Sequence, residues 1–96
     1  MQFEIETIRN AALRHFGTDV QVFLFGSRTD DMSRGGDIDL YITTKETEKL
    51  NIITRNAFIT DLILKIGDRR IDVVLDNTKR RSDSFYKTIE RTSIRL

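Results

Sequence analysis

Residues 20–44 read VQVFLFGSRTDDMSRGGDIDLYITT. Val20 to Phe25 is apolar, β-branched and aromatic, broken only by Gln21, which is the composition of a strand covered on both faces. It stops at Gly26-Ser27. A polar segment follows and closes on Gly35-Gly36, after which Asp37 to Thr43 alternates and is rich in β-formers. About ten residues between two strands are too few for a helical crossover, so the end of the first lies near the start of the second. Side chains alternate along a strand. Asp37 and Asp39 therefore share one face, roughly 7 Å apart, while Ile38 and Leu40 take the other.

Towards the amino terminus, Phe3, Ile5, Ile8, Ala12, Leu13 and Phe16 recur every three or four residues, with Gly17 just past them. That is an amphipathic helix with its stop. Beyond the second strand, Thr44 or Thr47 is placed to cap a helix to Ile66, with Leu50, Ile53, Phe58, Leu62 and Ile66 among its apolar positions and Gly67 ending it. Arg70 to Leu75 is a third short strand, broken by Asn77. Ser82 is a cap for a last helix from Asp83 to Arg91 that turns Phe85 and Ile89 inwards. The expected fold class is α/β (α+β), a small mixed three-stranded sheet with flanking helices in the order α-β-β-α-β-α. One domain over residues 1–96 accounts for the length.

A long helix between the second and third strands favours a right-handed parallel crossover, which puts both strand starts at one end of the sheet. Asp72 begins its strand as Asp37 begins its own. Gly26-Ser27, Asp37, Asp39 and Asp72 thus converge on one edge. Carboxylates gathered like this repel one another unless they hold a cation, and oxygen-only ligands suit Mg²⁺ or Mn²⁺. Magnesium is usually completed by substrate phosphates, which points to a nucleoside triphosphate. Glycine at 26 lets backbone approach a phosphate, and the Ser27 hydroxyl with neighbouring N–H groups can bind its oxygens. Two carboxylates in such a site bridge metal, and a third ligates a second ion or takes the proton from an attacking hydroxyl.

Composition excludes several other classes. Of the 96 residues 16 are Lys or Arg and 15 are Asp or Glu, so a net charge of +1 exerts no global pull on nucleic acid or an anionic membrane. Cysteine is absent, which removes disulfide and thiolate-metal chemistry. The opening MQFEIETIRN lacks the apolar core of a secretory signal, and no apolar run approaches about 18 residues, so a cytoplasmic protein without a membrane span is expected. DDMSRGGDIDL lacks the glycine spacing and terminal glutamate of an EF-hand, and no Walker-type turn is present. His15 has no second imidazole with which to form a metal site. Arg28 is a phosphate candidate beside the Gly-Ser turn, and Arg69-Arg70 and Lys79-Arg80-Arg81 read as phosphate or partner contacts or as solvated faces.

Gly26-Ser27, nine residues, Asp37-x-Asp39 and a later strand carrying Asp72 together resemble the minimal nucleotidyltransferases of the DNA polymerase β superfamily. The resemblance covers nearly the whole chain in element order. It implies the nucleotidyltransferase fold, Gly26 and Ser27 as the triphosphate-binding turn, Asp37 and Asp39 as Mg²⁺ ligands, Asp72 as the third carboxylate, and ATP as substrate. Stand-alone members of this kind are typically paired with a HEPN-family ribonuclease toxin, an all-helical protein, and act as antitoxins by transferring AMP from ATP to a tyrosine of that partner. The resemblance implies this function, whereas the residues by themselves reach only metal-dependent nucleotidyl transfer. Two alternatives stand beside it. One is a non-catalytic antitoxin or nucleotide-binding module that neutralises its partner by occlusion. The other is a transferase acting on nucleic acid, which the near-zero charge disfavours.

Overall fold

The computed structural model describes residues 2–25, 38–67, 70–76, 91 and 93–96. Helix α1 spans Gln2–Phe16, strand β1 Gln21–Phe25 and strand β2 Ile38–Thr43. A single 3-10 turn, Thr47–Lys49, precedes helix α2 at Ile52–Ile66, and strands β3 and β4 follow at Ile71–Leu75 and Ser93–Arg95. The sheet has the order β3-β2-β1-β4. β1 pairs antiparallel with both β2 and β4, while β2 and β3 are parallel, as the crossover through α2 requires.

Alternation decides which face each strand residue takes. Val22, Leu24, Ile38, Leu40, Ile42, Ile71 and Val73 point to one face and are buried against Ile8, Ala11, Ala12 and Phe16 of α1 and Phe58 and Leu62 of α2. Phe16 and Phe58 meet edge to face, their ring centroids 5.3 Å apart, where the two helices pack on each other. α1 and α2 both lie on this face.

Both helix ends follow the glycine stops read in the sequence. Gly17 and Gly67 adopt φ of 96° and 99°, a backbone conformation that a side chain would strain, and Gly67 N–H closes the last turn on Ile63 carbonyl.

Three features differ from the sequence expectation. The sheet has four strands, not three, because Ser93–Arg95 adds to β1 beyond the expected last helix. α2 starts after Asn51, whose side chain accepts from Thr54 N–H at 2.9 Å, rather than after Thr44 or Thr47, since a bend follows Thr44 and Thr47 opens the 3-10 turn. Phe3, Leu13 and Ile53, counted among the apolar helix positions, are exposed. The last helix falls outside the described residues except for Arg91, which is helical.

Polar groups stitch α2 to its neighbours. Asp61 accepts from Arg14 at 2.7 Å, lies 3.0 Å from His15 Nε2, and accepts from Lys65 one turn on. The ammonium of Lys65, then the guanidinium of Arg14, then His15 hold the Asp61 carboxyl well below the usual carboxylate range, against the opposing effect of burial. Arg55 Nε donates to the carbonyl of Val73 on β3 at 2.8 Å.

Candidate functional site

The second residue of β2 and the second residue of β3 are both aspartates, and the parallel register places Asp39 directly beside Asp72. Neighbouring strands lie about 4.8 Å apart, so two carboxylates leave adjacent positions on the sheet. Their immediate neighbours Ile38, Leu40, Ile71 and Val73 are buried under the helices. Asp39 and Asp72 therefore project from the opposite face, both partly exposed.

Arg70 Nε stands 3.5 Å from Asp72 Oδ2, and both side chains are largely exposed, so this pair is loose and leaves the carboxylate able to turn. The carbonyl of Arg70 accepts from Ile38 N–H at 2.9 Å, which pins the start of β3 to the start of β2 and fixes the two aspartates in register.

Of the five residues expected at this edge, the structure brings Asp39 and Asp72 together. Gly26, Ser27 and Asp37 lie outside the described residues, as do Arg28, Arg69 and Lys79-Arg80-Arg81. Among the described residues no group of three or more His, Cys, Asp or Glu side chains is gathered for a metal ion. Two carboxylates on adjacent strands, accessible and with oxygen as their only donor, fit a hard divalent cation, with Asp37 two positions before Asp39 as the residue that would complete the set.

Further along the same face lies a group that sequence reasoning missed. The Tyr41 hydroxyl donates to Asp76 Oδ1 at 2.6 Å and the Thr43 hydroxyl to Oδ2 at 2.9 Å, while Asp76 N–H donates to the Ile42 carbonyl at 2.8 Å. Tyr41 and Asp76 are both buried. The phenol ring of Tyr41 also packs against Phe23 across the strand pair, with centroids 6.1 Å apart. Asp39, Tyr41 and Thr43 alternate on one strand, so this carboxylate is held at the end of the face remote from Asp39 and Asp72. Alternation could have placed Tyr41 beside Asp39, but nothing in the sequence pairs it with Asp76.

Among the described residues no helix is long and apolar enough to cross a membrane. A comparison with curated proteins gives no match. The family model of the nucleotidyltransferase domain, in contrast, matches residues 5–96, a span that takes in both aspartates and the whole sheet. With nearly its full length matched, the chain belongs to the nucleotidyltransferase domain family.

Proposed function

We propose that this domain transfers AMP from ATP to a hydroxyl of another protein, and that it acts as the antitoxin of a HEPN-type ribonuclease. The observation that carries the catalytic part is the in-register pair Asp39 and Asp72 on the sheet face opposite α1 and α2. In this reading Asp37, Asp39 and Asp72 hold Mg²⁺, and Gly26 with Ser27 binds the triphosphate. When bound, the divalent ion neutralises phosphate charge and lowers the pKa of an attacking hydroxyl. The acceptor oxygen bonds to the α-phosphorus as the bond to the β-phosphate bridging oxygen breaks, and pyrophosphate leaves. Asp72 takes the hydroxyl proton. Its contact with Arg70 is loose enough to let it turn to do so. The choice of a protein acceptor rests on the resemblance and on a net charge of only +1, too small to favour a nucleic acid.

The test is incubation with α-labelled ATP, Mg²⁺ and the co-encoded helical protein. Label on a tyrosine of that protein is expected, and it should be lost with Asp39→Asn or Asp72→Asn by at least about a hundredfold. Label on RNA alone would overturn the protein-directed reading, and a folded Asp39→Asn that keeps its activity would remove the carboxylates from the site. Melting curves report the same site without turnover. Mg²⁺ with ATP is expected to raise the melting temperature of the wild type and to leave Asp39→Asn little changed.

A further inference from the structure

β4 lies at one end of the sheet, and its ladder to β1 decides which backbone groups look outward. Ile94 stands opposite Leu24 and Arg95 opposite Phe23, and Leu96 N–H donates to the Val22 carbonyl at 2.9 Å. Hydrogen-bonded and non-hydrogen-bonded pairs alternate along an antiparallel ladder. Ile94 therefore turns its N–H and C=O to β1, and Arg95 turns both of its own to the outer edge. Among the described residues no strand lies beyond β4 and nothing bonds to Arg95 there.

The side chains about this edge have two characters. Ile94 shares the helix face of the sheet with Leu24, yet it is 50% exposed. On the same face a cavity of about 140 Å³ is lined by the apolar residues Leu13, Val20, Val22 and Leu96, with Arg9 at its side. Arg95 borders it from the strand, and alternation directs its side chain to the opposite face with Phe23. No acidic residue lines the cavity, and among the described residues neither Arg9 nor Arg95 has an ion pair.

We propose that an acidic, extended segment of a partner protein adds antiparallel to β4 as a further strand, with an apolar-acidic-apolar pattern centred opposite Arg95. The central residue exchanges two backbone hydrogen bonds with Arg95 and takes the same face, where its carboxylate meets the guanidinium. Its two neighbours turn to the helix face, one beside Ile94 and the other beside Leu96 and the cavity, and cover apolar surface there. Arg9 adds a second cation on that side. Charge also selects this occupant over a second copy of the chain. Two β4 strands paired about a two-fold axis would set Arg95 opposite its own mate or one diagonal step from it, and like charges at those positions are destabilising. The inference rests on β4 and α1 and is independent of the catalytic reading.

Amide exchange of the full chain, followed by NMR, reads the edge directly. In the free chain the Arg95 amide should exchange at close to the rate of an unstructured peptide. A saturating concentration of the end-blocked peptide Thr-Val-Glu-Val-Thr should slow it at least about tenfold. The same peptide N-methylated at its glutamate has no donor for the Arg95 carbonyl and should not bind, and Thr-Val-Lys-Val-Thr should bind at least about tenfold more weakly. Arg95→Glu changes an exposed side chain, so it should keep the circular dichroism spectrum while reversing the preference between the glutamate and lysine peptides. An Arg95 amide already protected in the dilute free chain would mean that the chain itself covers the edge. Protection that develops on concentration without peptide would give the edge to a second copy. Either result overturns the proposal, as does a glutamate peptide that leaves the amide unchanged at millimolar concentration, or one that binds equally well when N-methylated.

Discussion

Tyr41 and Asp76 occupy one short hydrogen bond on the site face, and the two ends of that bond differ in what their loss leaves behind. Asp76→Ala removes two hydrogen bonds at once, those from the buried Tyr41 hydroxyl and from the Thr43 hydroxyl, at a cost of about 2–3 kcal/mol. Tyr41→Phe removes a single donor and leaves the carboxylate with Thr43 and should cost about 1 kcal/mol less. Urea midpoints of the two variants check the order. Equal losses would mean that the carboxylate has no special hold on the phenol. The pair of Asp39 and Asp72 was more legible than this one. Asp39 and Asp72 each begin a strand, and alternation plus the parallel crossover dictates a common face. Asp76 follows a strand, where an aspartate usually marks only a turn, and its partners come from a different strand.

At the scale of elements, α1 and α2 are joined by an apolar seam and by one ionic staple centred on Asp61. The folded-state pKa of Asp61 lies below that of the unfolded chain, near 3.9, so its contribution is fully present above that value. Stability should therefore fall as the pH drops from about 4 through the folded-state pKa. Asp61→Asn should lose about 1 kcal/mol at neutral pH, given how little exposed ion pairs contribute, and should show a flatter profile below pH 4. Denaturation midpoints at pH 7 and pH 3 give the comparison, and parallel profiles would count against the staple. The Asp61 to Lys65 spacing is visible in the sequence as a helical i,i+4 pair, whereas Arg14 and His15 reach it only through tertiary packing. The same distinction accounts for the missed strand. Ser93-Ile94-Arg95 is too short to show a period, and it is a strand because β1 offers it a free edge. The capping reading failed for a local reason. Thr44 and Thr47 both have capping chemistry, but the chain spends that segment on a bend and a 3-10 turn and leaves Asn51 to begin α2.

Over the whole molecule, the parallel β2–β3 pair was readable because a long helix between two short strands has one favoured route. What the sequence could not reveal was the outward side of α2, since Ile53 and Leu64 satisfy a helical apolar pattern as well as Phe58 and Leu62 do. Only the packing separates the two stripes.

The bond from Arg55 to Val73 has a consequence for how the molecule survives its own synthesis and storage. β3 ends the sheet, and it bonds to β2 through the Arg70 carbonyl and the Asp76 N–H, so the carbonyl of Val73, of the other parity, looks outward. A bare strand margin of this kind is a template on which a like strand from another molecule can lengthen the sheet without limit. The guanidinium of Arg55 sits on that carbonyl and denies it to an incoming amide. Arg55→Ala should thus refold to the same structure yet form thioflavin-positive fibrils sooner under gentle agitation, and Arg55→Lys, a point charge without the planar fork, should fall between. Fibril lag times that do not differ between wild type and Arg55→Ala would show that the margin is guarded by something else.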